Sequence, residues 1–91
     1  GYRTIKLKVG GVSLDTDLAR IRAVHEAAPG CELVLDGNAA LSVDDAVTIA
    51  HEIKSLGARL ALFEQPCARN DDESSRAVHE RTGVMVCADE S

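Results

Sequence analysis

Ninety-one residues hold at most one domain with a modest core. A net charge of −5 with no basic cluster argues against nucleic acid as a partner, because phosphate binding needs concentrated Lys and Arg. No apolar stretch approaches a membrane span, so no membrane partner is expected, and the opening GYRTIKLKVG does not read as a signal peptide.

Tyr2 and Phe63 are the only aromatic residues, so the core must be built from Leu, Ile, Val and Ala. Cys31, Cys67 and Cys87 are odd in number and lack C-x-x-C spacing. That points away from a zinc site or disulfide framework and towards reduced thiols in a cytoplasmic protein.

The elements follow one another in a regular order. TIKLKV (4–9) is rich in β-formers and runs into Gly10-Gly11. Over 14–28, Leu14, Leu18, Ile21 and Val24 or Ala28 recur at helical spacing, and Pro29-Gly30 stops the helix. ELVLD (32–36) is a short strand. The helix over 42–57 opens on Ser42 with Asp45 three residues on, a variant of the capping box, and Gly57 suits its end. RLALFE (59–64) is a third strand, closed by Pro66. A shorter helix over 72–83, capped by Asp71 or Asp72, leads to a fourth strand, VMVCAD (84–89). The strands are nearly continuous apolar runs, as in a parallel sheet covered on both faces, so the pattern β-α-β-α-β-α-β predicts an α/β fold.

Every strand after the first ends in an acid: Asp36, Glu64 and Asp89. Ligands of parallel α/β folds bind at the carboxyl ends of the strands, so three acids on neighbouring strands would converge there. Unpaired, they would repel one another, and a hard divalent cation removes that repulsion. Oxygen-only ligands suit Mg2+ better than Zn2+. The bland alternative is that each acid caps the next helix. The first strand carries Lys6 and Lys8, which point to one face while Ile5, Leu7 and Val9 point to the other. Two neighbouring ammonium groups disfavour each other's charged form, and a lysine that loses its proton near neutral pH can serve as a general base. Equally, two solvated lysines would protect an exposed sheet edge. Asn38, two residues past Asp36, either faces the same site or shapes the turn. Cys87 should share the face of Asp89, and His25, His51 and His79 all fall on helices, away from any strand end.

IKLKVG, LVLDGNAALS, LFEQP and VCADES, in this order and spacing, resemble the enolase superfamily, in particular its muconate-lactonizing-enzyme subgroup with the dipeptide epimerases. The resemblance covers essentially the whole chain. It implies a (β/α)8 TIM-type barrel, with residues 1–91 supplying the second to fifth strands of the C-terminal barrel domain of a longer chain. It implies Asp36, Glu64 and Asp89 as ligands of Mg2+. Lys8 would be the acid/base catalyst, with Lys6 tuning it and stabilising negative charge. Asn38 would lie beside the substrate, and Glu90 would support the ligands rather than bind the metal. The implied reaction is Mg2+-dependent removal of the proton alpha to a carboxylate through an enediolate, a chemistry typical of this superfamily. Dipeptides of the Ala-Glu kind are the expected substrates, and the full-length enzyme is expected to be a homo-oligomer.

The runner-up within the family is a cycloisomerase or a dehydrating synthase such as o-succinylbenzoate synthase; both share the intermediate. Epimerisation needs a second lysine, on the sixth strand in this family, which lies outside these residues. Three other readings stand beside this one. They are a half-barrel paired with a second copy, a non-catalytic interaction module of the same pattern, and a receiver-like or flavodoxin-like domain.

Overall fold

The computed structural model describes residues 3–11, 13–37, 41–67 and 72–87. Four strands and three helices alternate: β1 (Thr4–Lys8), α1 (Leu14–Ala27), β2 (Glu32–Asp36), α2 (Val43–Ser55), β3 (Arg59–Glu64), α3 (Asp72–Thr82) and β4 (Val86–Cys87). The strands form one parallel sheet in the order β1-β2-β3-β4. Sequential order with a helix in each crossover is how a (β/α) barrel is laid down, so this is an α/β barrel segment.

Helices α1 and α2 begin where serines can bond the free amides of the first turn. Ser13 Oγ accepts from the Thr16 amide at 3.2 Å, and Ser42 Oγ accepts from the Asp45 amide at 3.1 Å. Helix α3 and the α2 turn end at glycines with left-handed backbone, Gly83 (φ 73°) and Gly57 (φ 79°), the latter as the sequence pattern anticipates.

One face of the sheet is covered. Leu33 and Leu35 of β2 and Phe63 of β3 are fully buried against Ile21 of α1, Ile49 and Ile53 of α2 and Val78 of α3. Each such side chain contributes about 1.5–3 kcal/mol of burial free energy. Leu14, Leu18, Val24 and Leu56 are half-buried at the margin of this core. The three cysteines are free; Cys31 and Cys67 are buried and Cys87 is exposed. No helix among the described residues is long and apolar enough to cross a membrane.

The strand boundaries differ modestly from the sequence reading. β1 ends at Lys8, although the Val9 amide still donates to the Asp36 carbonyl at 2.8 Å. β4 starts at Val86 rather than Val84, because both backbone groups of Val84 are engaged with the end of α3. Its amide donates to Thr82 Oγ1 at 3.1 Å, and its carbonyl accepts from His79 Nδ1 at 2.7 Å.

Candidate active site at the carboxyl ends of the strands

The open face of the sheet is built in layers, as successive side chains on each strand alternate between its two sides. At the amino ends Thr4, Glu32 and Arg59 are in register, and both Thr4 Oγ1 (3.2 Å) and Arg59 Nε (3.4 Å) reach the Glu32 carboxylate. The middle layer is Lys6, Val34 and Leu62. At the carboxyl ends Lys8, Asp36, Glu64 and Cys87 stand in one row across all four strands. Adjacent positions of such a row are about 4.8 Å apart.

Glu64 reaches this row because of a bulge. Leu33 and Val34 are consecutive on β2, whereas their partners on β3 are Leu60 and Leu62. Ala61 is the extra residue. Were Ala61 paired in regular alternation instead, Glu64 would share the face of Leu60, towards the helices. The bulge turns the strand by one residue, sends Phe63 into the core and brings the Glu64 carboxylate beside Asp36.

Capping does not explain Asp36, since Ser42 does that work for α2. Two carboxylates side by side repel unless a cation lies between or beside them. An ammonium supplies part of this: Lys6 Nζ, from the layer below and two strands away, lies 3.1 Å from Glu64 Oε2. Asp36 and Glu64 are hard oxygen donors on rigid strand ends, a donor set that fits Mg2+. Among the described residues no group of three His, Cys, Asp or Glu side chains is close enough to hold a metal. Asp89, the expected third ligand, lies outside the described residues, as do Asn38 and Glu90.

The loops behind the row are tightly stacked. The Gly37 amide donates to the Glu64 carbonyl (2.8 Å), the Gln65 amide to the Cys87 carbonyl (2.7 Å) and the Leu41 amide to the Pro66 carbonyl (2.9 Å). Gln65, next to Glu64, has φ 45°, a left-handed conformation uncommon outside glycine and concentrated at functional sites. The Gln65-Pro66 step does shape the loop after Glu64.

Two residues of α1 that the sequence reading passed over also reach this end of the sheet. Asp17 Oδ2 accepts from the Gly10 amide at 2.9 Å, and an Arg20 guanidinium nitrogen donates to the Lys8 carbonyl at 3.0 Å. An acid in the first turn of a helix reads locally as a favourable dipole partner, so only its burial could have singled it out.

Comparison with known proteins agrees with this architecture. The family model described as enolase C-terminal domain-like matches residues 1–91. The chain is 41% identical over 91 residues to an aromatic dipeptide epimerase of Herpetosiphon aurantiacus, covering all of this chain and 26% of the relative. It is 42% identical over 93 residues to an o-succinylbenzoate synthase of Mycolicibacterium smegmatis, covering 100% of this chain and 27% of that one. A mandelate racemase/muconate lactonizing enzyme from a marine actinobacterium, solved in complex with magnesium, superposes with a TM-score of 0.80 at 35% identity. That match covers 100% of this chain and 26% of the other. The chain thus spans about a quarter of the length of the relatives it matches. Sequence, topology and these likenesses together place the chain in the enolase superfamily, as part of the C-terminal barrel of its mandelate racemase/muconate lactonizing branch.

Proposed function

We propose that these residues are the second to fifth strands of a larger Mg2+-dependent enzyme that removes the proton alpha to a carboxylate, a dipeptide epimerase. The observation that carries this reading is the row Lys8, Asp36 and Glu64, in register on one face at the carboxyl ends of three parallel strands. Asp36 and Glu64, joined by Asp89, would hold Mg2+, which when bound supplies positive charge beside the substrate carboxylate.

Lys8 is the base. Its neutral amine takes the proton from the carbon next to the carboxylate and becomes an ammonium, while the C–H electron pair moves towards the carboxylate oxygens. Lys6, already beside Glu64, keeps a positive charge near the electron-rich substrate. Asn38 is assigned to substrate contact and Glu90 to support of the ligands. Return of a proton to the opposite face requires a second acid, which the family resemblance places on the sixth strand. The likeness to an aromatic dipeptide epimerase supports dipeptides as the substrate class.

The test uses the full-length protein that contains these residues, incubated in D2O with a panel of dipeptides, including Ala-Glu and aromatic members. Proton NMR should record Mg2+-dependent loss of one α-proton signal, abolished in Lys8→Ala. Absence of exchange across the panel refutes the epimerase. A second reading, an o-succinylbenzoate synthase, is favoured by the 42% identity to such an enzyme. Formation of o-succinylbenzoate without dipeptide exchange would select it.

A further inference from the structure

Asp17 is buried, with 2% of its surface exposed, and one of its carboxylate oxygens accepts from the Gly10 amide at 2.9 Å. Burying a carboxylate is costly unless it is well bonded, so its position on α1 calls for an explanation. Its partner Gly10 lies two residues after Lys8 and has φ 85°, a backbone state that a charge-assisted hydrogen bond can hold in place. A Cβ at Gly10 would come within 2.9 Å of the Gly37 carbonyl, so the β1–α1 loop leans on the loop that follows Asp36.

The strand itself supplies the second half. The Val9 amide is bonded to the Asp36 carbonyl, so Val9 turns its backbone groups towards β2 and Lys8 turns its own away from it. On that side Arg20, one helical turn after Asp17, donates to the Lys8 carbonyl at 3.0 Å. Two side chains from one face of α1 therefore hold the backbone on both sides of Val9.

We infer that Asp17 and Arg20 are positioning residues for Lys8, a clamp from α1 that sets where its amine stands relative to Asp36 and Glu64. This rests on the reading of Lys8 as the base. Both residues bond backbone groups rather than the side chains of the row. The clamp acts through the backbone, so its loss should affect the proton-transfer step and leave substrate binding largely intact. Displacements of about 1 Å at a reacting group cost on the order of 100-fold in rate.

The experiment uses the full-length protein and the fastest dipeptide of the exchange panel. Asp17→Ala and Arg20→Met should each lower kcat, by ~10–100-fold for Asp17→Ala and several-fold for Arg20→Met, with KM within about twofold of wild type. Asp17→Asn and Arg20→Lys, which keep an acceptor and a donor, should recover most of the loss. A residue that only stabilises the fold would shift Tm without this kcat–KM split and without rescue. Arg20 is exposed, so Arg20→Met decides the matter even where Asp17→Ala fails to fold. Wild-type kcat in folded Asp17→Ala and in Arg20→Met, with Lys8→Ala inactive, overturns the clamp alone. Wild-type exchange in Lys8→Ala overturns the base assignment and the clamp with it. Hydrogen exchange at the Gly10 amide gives a readout independent of substrate. Faster exchange in Asp17→Ala supports the clamp, and an unchanged rate overturns it.

Discussion

Gly37 is the most exacting position around the row. It is buried directly after Asp36, and a Cβ there would lie 2.7 Å from Pro66 Cα, 2.9 Å from the Gln65 carbonyl oxygen and 3.2 Å from that of Pro66. All three neighbours are backbone, so none can swing aside. Ordinary contact begins near 3.4 Å, so Gly37→Ala must part the two loops by about 0.7 Å. Overpacking of this kind costs about 1–3 kcal/mol. At 2–4 °C per kcal/mol, the expected loss in Tm is ~2–12 °C for a barrel-sized domain. The displaced segments are those that follow Asp36 and Glu64, and binding sites tolerate only about 0.5 Å of misplacement. Mg2+ affinity should therefore fall by ~10–100-fold, as when groups that orient metal ligands are removed. Thermal melts by circular dichroism and calorimetric Mg2+ titrations of the full-length protein measure both. Gly30→Ala serves as the control, because a Cβ at Gly30 meets nothing within 4 Å. If Gly37→Ala matches Gly30→Ala in Tm and in metal affinity, the stacked loops do not set the spacing of the carboxylates, and the reasoning is refuted.

Three further outcomes are expected. Lys6→Met should change stability by less than ~1 kcal/mol, since the Lys6 side chain is 57% exposed and its pair with Glu64 is open to solvent. It should nonetheless tighten Mg2+ binding by removing a competing cation; weaker or unchanged binding in a calorimetric titration would contradict this. Deleting Ala61 removes the bulge yet leaves Leu60 and Phe63 on the core face and Glu64 on the open face, because the remaining residues then pair with β2 one for one. Stability should therefore fall by less than about 3 kcal/mol, and a larger loss in a denaturant titration, as expected for Phe63 turned out of the core, would contradict this reading of the bulge. The Glu52 carboxyl, bonded to Arg22 Nε at 2.7 Å, is held below its ordinary value of 4.5 by that hydrogen bond. A lowered folded-state value means the bridge between α1 and α2 stabilises the protein above pH 4.5 and fades as pH falls through the lowered value. The Tm gap between wild type and Glu52→Gln should accordingly be full at neutral pH and close on acidification; a gap independent of pH would count against it.

Much of this molecule is determined locally. The period of the apolar residues sets the alternation of strands and helices, and Ser13, Ser42, Gly57 and Gly83 start or stop helices through their own backbone and side-chain chemistry. An unbroken order of βα units implies a parallel sheet, and a parallel sheet puts Lys8, Asp36 and Glu64 at one end. That end and its acids were therefore legible before any coordinates. Which face each side chain occupies was not. Counted by twos along RLALFE, Glu64 falls with Leu60 and Leu62 on a single face. Only pairing with β2 reveals that Ala61 is passed over, because a bulge belongs to two strands and leaves no mark in one. The contact between Lys6 and Glu64 likewise skips a strand, and depends on the reach of a side chain across the sheet. Asp17 reads in sequence as one more acid at a helix start. The tertiary fold alone buries it, by bringing the Gly10 loop back over α1, where a carboxylate is the acceptor that the turned amide requires.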